Sequence, residues 1–297
     1  MDLALHLEGI ISEGASSALL EAGAWRACDL TLPEDFVLMG ATGAEKTTLF
    51  CEEPLTEACV AAEAGETEVC PSAAVLTLSP GSALSGVSVV APIGGLAERH
   101  IPLITVKGGE VLVRYTHLSV APGAMGIQVV ATADVGETQF VGVEHVTISA
   151  SEAGIWSESG ISVVREAYED RGEIELQLSD SVISTCAQGL VGDAALDIEL
   201  NASNTLFCEV DAPALLLDED DKPEPFNLDP TNPVETACPG DFNDGQSESF
   251  IGQASNGFDL GAVQSSCDFY DINVPESGCC FVQDEGQCEL ESCAERV

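Results

Sequence analysis

Short β-rich runs recurring between turn residues constrain the fold of this chain more than any other feature. From Ala74 to about Leu217 such runs follow one another between Gly, Ser, Asp and Pro, with no helix-length apolar pattern among them. One repeated element is a Gly followed by an apolar residue: Gly126-Ile127, Gly154-Ile155, Gly189-Leu190 and a degenerate Ala214-Leu215. A second element lies shortly upstream of each, in Thr116-His117-Leu118, Glu144-His145-Val146, Asp180-Ser181-Val182 and Asn204-Thr205-Leu206, with Gly86-Val87-Ser88 as an earlier copy. Aligned on Val87, Leu118, Val146, Val182 and Leu206, the copies lie roughly thirty residues apart, the length of a solenoid coil with insertions in one loop. Each coil would alternate inward apolar and outward polar side chains, and successive coils would pair in parallel at about 4.8 Å. The expected fold is all-β, a parallel β-helix; a β-sandwich of similar short strands is the alternative, and it lacks a reason to repeat the Gly-apolar start.

At the N-terminal end the expected capping helix is Ser17-Ala18-Leu19-Leu20-Glu21-Ala22. The segment Leu30-Thr31-Leu32-Pro33-Glu34-Asp35-Phe36-Val37-Leu38-Met39-Gly40 then runs into Lys46-Thr47-Thr48-Leu49-Phe50. This succession resembles the opening coils of pectin-lyase-like right-handed β-helix proteins, and the likeness covers about residues 10–217. It implies a right-handed parallel β-helix solenoid with a short N-terminal capping helix over 1–217. Hydrolases of that family carry paired-Asp and Gly-His-Gly motifs and its lyases carry clustered Arg and Lys, none of which this sequence matches. After Leu217 the run Asp218-Glu219-Asp220-Asp221-Lys222-Pro223-Glu224-Pro225 opens an acidic, Pro-rich linker, 218–237, before a Cys-rich tail or cap, 238–297.

Nine Lys and Arg against 51 Asp and Glu give a formal charge of −42. Phosphate binding needs clustered cations, so nucleic acid and anionic membrane surfaces are excluded as partners. With 45% hydrophobic residues, a packed core is still expected. No apolar run reaches the roughly 18 residues of a membrane span.

The cysteines fall into even groups: Cys28, Cys51, Cys59 and Cys70; Cys186 and Cys208; and Cys238, Cys267, Cys279, Cys280, Cys288 and Cys293. All twelve are expected in disulfides, and each even group could close its own, with connectivity open. No Cys-x-x-Cys pair supports zinc instead. Disulfides imply an extracellular or cell-surface location. The opening Met1-Asp2-Leu3-Ala4-Leu5-His6-Leu7-Glu8 lacks the basic and apolar regions of a signal peptide, so a trimmed product, an unrecognised export route or a fragment of a larger adhesin is expected.

Chemistry-bearing candidates are few. Gly40-Ala41-Thr42-Gly43-Ala44-Glu45-Lys46-Thr47-Thr48 is one residue from a phosphate-binding loop, but Glu45 places a carboxylate where the backbone must close on phosphate, so it reads as a turn. His117 and His145, expected in the same register on adjacent coils with Glu144 and Asp180 nearby, are candidate ligands for a divalent metal; a solvated polar ladder is the plainer reading. Glu144, His145 and Asp180 are also the candidate catalytic carboxylates and base. In the tail, Asp241 and Asn243 have calcium-loop character without EF-hand spacing, which makes calcium the one candidate cofactor. The expected role is structural or binding rather than enzymatic, with a polysaccharide or another surface molecule as partner; the alternative is a polysaccharide lyase or glycoside hydrolase.

Overall fold

The computed structural model describes residues 1–51, 74–90, 101–131, 138–151, 157–165 and 172–217, together with the backbone of four short strands beyond them. Helix α1, Leu3–Ser12, opens the chain: the Asp2 side chain caps it by accepting from the Leu5 N–H, and Leu3 and Leu7, one turn apart, are buried. The helix expected at 17–22 is not one. Ser17–Leu20 alternates exposed and buried residues with period two, and it forms the first strand.

The strands come in successive triplets. The first is β1 (Ser17–Leu20), β2 (Gly23–Arg26) and β3 (Leu30–Leu32); the second is β4 (Val37–Gly40), β5 (Thr47–Phe50) and β6 (Leu76–Leu78). The third is β7 (Ala83–Ser85), β8 (Ser88–Val90) and β9 (Pro102–Lys107), and the fourth β10 (Glu110–Arg114), β11 (His117–Val120) and β12 (Met125–Ala131). The fifth is β13 (Thr138–Glu144), β14 (Thr147–Ala150) and β15 (Ser157–Arg165). In the last two triplets the second and third strands merge: β16 (Glu173–Ser179) precedes β17 (Val182–Asp193), and β18 (Asp197–Ser203) precedes β19 (Leu206–Leu217).

Each strand pairs in parallel with its counterpart in the next triplet. The first strands build a seven-stranded sheet in the order β1-β4-β7-β10-β13-β16-β18. The others build a fourteen-stranded sheet that runs up through β14, turns within β17 and returns through β15 to β3. These are parallel strands in curled sheets, consistent with a parallel β-solenoid, and the chain is mostly β with one helix among the described residues. Beyond 217, β20 (Pro223–Pro225) and β21 (Val234–Glu235), within the expected linker, pair with β19; β22 (Cys280–Asp284) and β23 (Gln287–Glu291) form an antiparallel hairpin. Most of the expected linker and tail lies outside the described residues.

Parallel registration stacks equivalent apolar residues into rows. Val89, Leu118, Ile148, Ile183 and Phe207 form one row, Ile104, Ile127, Ile161, Leu190 and Ala214 another, and Leu84, Val113, Val143 and Leu178 a third. All are buried in a single continuous core. Burial of each large side chain contributes about 1.5–3 kcal/mol.

Beside the second row runs a row of close backbone approaches. A Cβ added at Gly126 would stand 2.5 Å from the Gly160 carbonyl oxygen, one at Gly160 would meet Ile183 Cγ2 at 2.5 Å and the Gly189 oxygen at 2.7 Å, and one at Gly189 would meet the Pro213 oxygen at 2.5 Å. The repeated Gly-apolar element is therefore Gly126-Ile127, Gly160-Ile161 and Gly189-Leu190, ending in Pro213-Ala214. The expected copy at Gly154 lies outside the described residues, and the last copy is shifted by one from Ala214-Leu215. Backbone cannot yield as a side chain does, so Gly160→Ala is expected to lower stability by about 1–3 kcal/mol. At Gly142 the obstacle is only Leu112 Cδ1, the end of a flexible side chain, and Gly142→Ala is expected to cost less than about 1 kcal/mol. Urea unfolding of the two variants compares them directly.

Candidate functional site

Between the first and second strand of each of the last five triplets, one residue turns the chain with a positive φ: Gly86 (65°), Tyr115 (48°), His145 (53°), Asp180 (50°) and Asn204 (47°). Gly, Asp and Asn accept this left-handed conformation readily; for Tyr and His it is uncommon and is held by the neighbours. The corner amides bind triplet to triplet: Gly86 N–H donates to Arg114 O, Tyr115 to Glu144 O, His145 to Ser179 O and Asp180 to Ser203 O, at 3.1–3.2 Å. Each residue after the corner is buried, and where it is polar its hydroxyl donates back to the chain: Thr116 to Arg114 O, Ser181 to Ser179 O and Thr205 to Ser203 O.

The corner side chains form a column. The Tyr115 and His145 rings stack at a centroid separation of 4.7 Å and an angle of 17°. His145 Nε2 lies 3.8 Å from Asp180 Oδ2, an electrostatic contact beyond hydrogen-bond reach, and the Asn204 amide donates to Asp180 Oδ1 at 2.8 Å. One step back along the strands, Arg114 Nε and Glu144 Oε2 form an ion pair at 2.9 Å, with the N–H not aligned for a hydrogen bond. Burial holds the His145 pKa below its ordinary value; Asp180 opposes that shift and Arg114 adds to it.

This arrangement corrects the expected histidine pair. His117 pairs in register with Thr147, whereas His145 occupies the corner equivalent to Tyr115, so the two imidazoles do not share a position. Glu144, His145 and Asp180 do gather, but Glu144 is engaged by Arg114 and Asp180 by Asn204. Among the described residues no group of three or more His, Cys, Asp or Glu could hold a metal. His117 is 8% exposed, and burial pushes its pKa down to about 4, which keeps it neutral. Asp241 and Asn243 lie outside the described residues. The phosphate-loop-like segment is the connection from β4 to β5, with no helix following it.

The cysteines are divided. Cys28 and Cys51 are bonded, with Cα atoms 4.9 Å apart, and tie the end of β2 to the end of β5. Cys208 is disulfide-bonded. Cys186 is instead a free, buried thiol, which corrects its expected place in a disulfide. Registration puts Cys208 opposite Ser184 and Cys186 opposite Val210, two steps along the strand. Burial pushes the Cys186 thiol pKa up to about 12, so it is inert rather than nucleophilic. Cys59, Cys70, Cys238, Cys267, Cys279 and Cys293 lie outside the described residues, and Cys280 and Cys288 are described in backbone only.

Tyr115, Asn204 and Arg114 complete the column and were not among the expected site residues. Gly86, Asp180 and Asn204 carried a readable signal, since these types favour left-handed turns; Tyr115 carried none.

The outer surface of the seven-stranded sheet is the other candidate. On β16 and β18 its outward residues alternate with buried or half-buried apolar ones, and Glu173, Gln177, Asp197, Glu199, Asn201 and Ser203 are exposed. Comparison with protein-family models, with curated proteins and with solved structures finds no match to this chain.

Proposed function

We propose that this chain is a right-handed parallel β-helix of the pectin-lyase-like kind, secreted or held at the cell surface, where it has a structural or binding role. Support for the right-handed solenoid comes from the successive parallel crossovers between triplets, because such connections are right-handed in nearly all known cases. Disulfides at Cys28–Cys51 and Cys208 favour an oxidising location. Among the described residues no helix is long and apolar enough to cross a membrane.

The observation that carries the binding role is the polar, regularly spaced outer face that β16 and β18 give the seven-stranded sheet. Rigid strands present side chains about 4.8 Å apart across the sheet and under 7 Å apart along it, so an extended polymer can bind with little ordering cost to the protein. A polysaccharide or another surface polymer is the partner class, and an acidic one would need bridging calcium against the charge of −42.

A second reading, a carbohydrate-active lyase or hydrolase, is favoured by the gathering of Glu144, His145 and Asp180. Incubation with neutral glycans and polyuronates, with and without calcium, separates the two. Binding without unsaturated products or new reducing ends is the expected result. Turnover abolished by His145→Ala or Asp180→Asn would replace the binding reading with the enzymatic one.

A further inference from the structure

The outer face of β16 and β18 repeats its chemistry rung on rung. In register, Glu173 lies beside Asp197 and Glu175 beside Glu199. Further along the same strands, Gln177 lies beside Asn201 and Ser179 beside Ser203. Acid faces acid, amide faces amide and hydroxyl faces hydroxyl. Stacked amides and hydroxyls are compatible neighbours, but like charges directly opposite on adjacent strands destabilise a sheet. No cation among the described residues pairs with these four carboxylates; the hydrogen bonds that reach them come from Thr138 to Glu173 and from Asn201 to Glu199. Local violations of this kind are expected where a surface serves a partner.

The third observation is apolar. Phe140 on β13 occupies the position beside Glu175, in the same cross-strand row as Glu175 and Glu199. Leu112 and the Phe140 ring both lean over Gly142, where a Cβ would stand 2.6 Å from Leu112 Cδ1 and 3.4 Å from Phe140 Cε1. A half-buried ring thus adjoins the carboxylate rows, where the outward residues change from apolar Leu112 and Phe140 to the polar ones of β16 and β18.

We propose that this sheet face docks an amine-bearing polysaccharide, with Glu173, Glu175, Asp197 and Glu199 receiving its ammonium groups, Gln177 and Asn201 its hydroxyls, and Phe140 the C–H face of a sugar ring. The charge complementarity sets the occupant: a polyuronate meets four like charges, and a purely apolar partner leaves the carboxylates desolvated and unpaired. A sugar ring supplies the apolar face, the hydroxyls and, with a free amine, the cation. This inference rests on the binding reading above and names the polymer for it.

Titration of the full chain with a glucosamine hexasaccharide, its fully N-acetylated counterpart and poly-lysine tests it. The free-amine sugar is expected to bind at least about tenfold tighter than the acetylated one, and more weakly as salt rises. Glu173→Gln, Glu175→Gln, Asp197→Asn and Glu199→Gln combined should lower that affinity at least about tenfold, while Glu8→Gln, Glu13→Gln, Glu21→Gln and Glu34→Gln, four exposed carboxylates elsewhere, should change it less than about twofold. Thermal unfolding of both variants verifies that each is folded. Equal losses in the two quadruple variants, equal affinity for the acetylated sugar, or preferential binding of poly-lysine through the same four residues would overturn the proposal, the last pointing to a basic protein partner. Binding of a neutral or acidic glycan that is indifferent to the four residues would overturn this inference and leave the binding reading standing; failure to bind any glycan would remove both.

Discussion

Replacing Phe207 with Ala is expected to destabilise the protein by about 3–5 kcal/mol, whereas Phe140→Ala is expected to cost less than about 1 kcal/mol. Both are phenylalanines on strands of parallel sheets, and their sequence surroundings do not separate them. Position in the pleat does. Phe207 is fully buried in the row that runs through Leu49, Val89, Leu118, Ile148 and Ile183, packed beside Ile183 and against the Gly189 backbone. Its removal leaves a cavity in a region whose main chain is already in close contact and cannot collapse to fill it. Phe140 points to the other side of its sheet and is only half-buried there, so truncation leaves no enclosed cavity. Urea unfolding of both variants reads the difference. Losses of similar size would mean that the inward and outward assignments of the strands are wrong.

The second large effect is with pH. Because His117 is buried without a charged partner that favours its protonated form, its pKa in the folded protein falls from 6.5 to about 4. Between those values the unfolded chain binds a proton that the folded one refuses, so the contribution of this group to stability is fully present above pH 6.5 and is lost as pH falls toward 4. At about 1.4 kcal/mol per pH unit, this one group removes about 3 kcal/mol over that interval. His145, shifted in the same direction by burial, adds to the loss. The comparison to make is wild type against His117→Gln, with stability measured from pH 7 to pH 4. A shallower dependence in the variant is expected. An imidazole resonance of His117 titrating near 6.5 would contradict the assigned burial.

Much of the fold was legible because a solenoid writes its structure into repetition. Recurring short strands, the absence of helical periodicity and the Gly-apolar element identify parallel all-β stacking, and Gly126 and Gly189 mark close backbone approaches that only glycine permits. The register was less legible. An alignment on apolar anchors matched Val87 with Leu118, but the structure places Val87 with Thr116 and Val146 at the residue after the corner. Thr116, Ser181 and Thr205 are buried polar residues whose hydroxyls are satisfied by their own backbone, so hydropathy alone passes over the position that fixes the register. A slip of two residues along the strands aligns His117 with His145, whereas the true register aligns it with Thr147.

The helix was misplaced for a related reason. Ser17–Leu20 is rich in helix formers, yet its alternation of exposed Leu19 with buried Ala18 and Leu20 suits a strand lying beside Val37–Gly40. Tertiary pairing overrides weak propensity in so short a segment. At the candidate site, Glu144, His145 and Asp180 were found from residue type, but their partners Arg114, Tyr115 and Asn204 come from neighbouring triplets, and their identity depends on the register that the sequence leaves ambiguous.

Register in the parallel sheets is therefore the claim on which the column, the rows of the core and the docking face all rest. Backbone NOE spectroscopy between β13 and β16 tests it most directly. Contacts are expected to ascend together along the two strands, Val141 with Leu176 and Val143 with Leu178. Contacts that descend on one strand as they ascend on the other, pairing Val141 with Leu178, would show antiparallel strands and contradict the account.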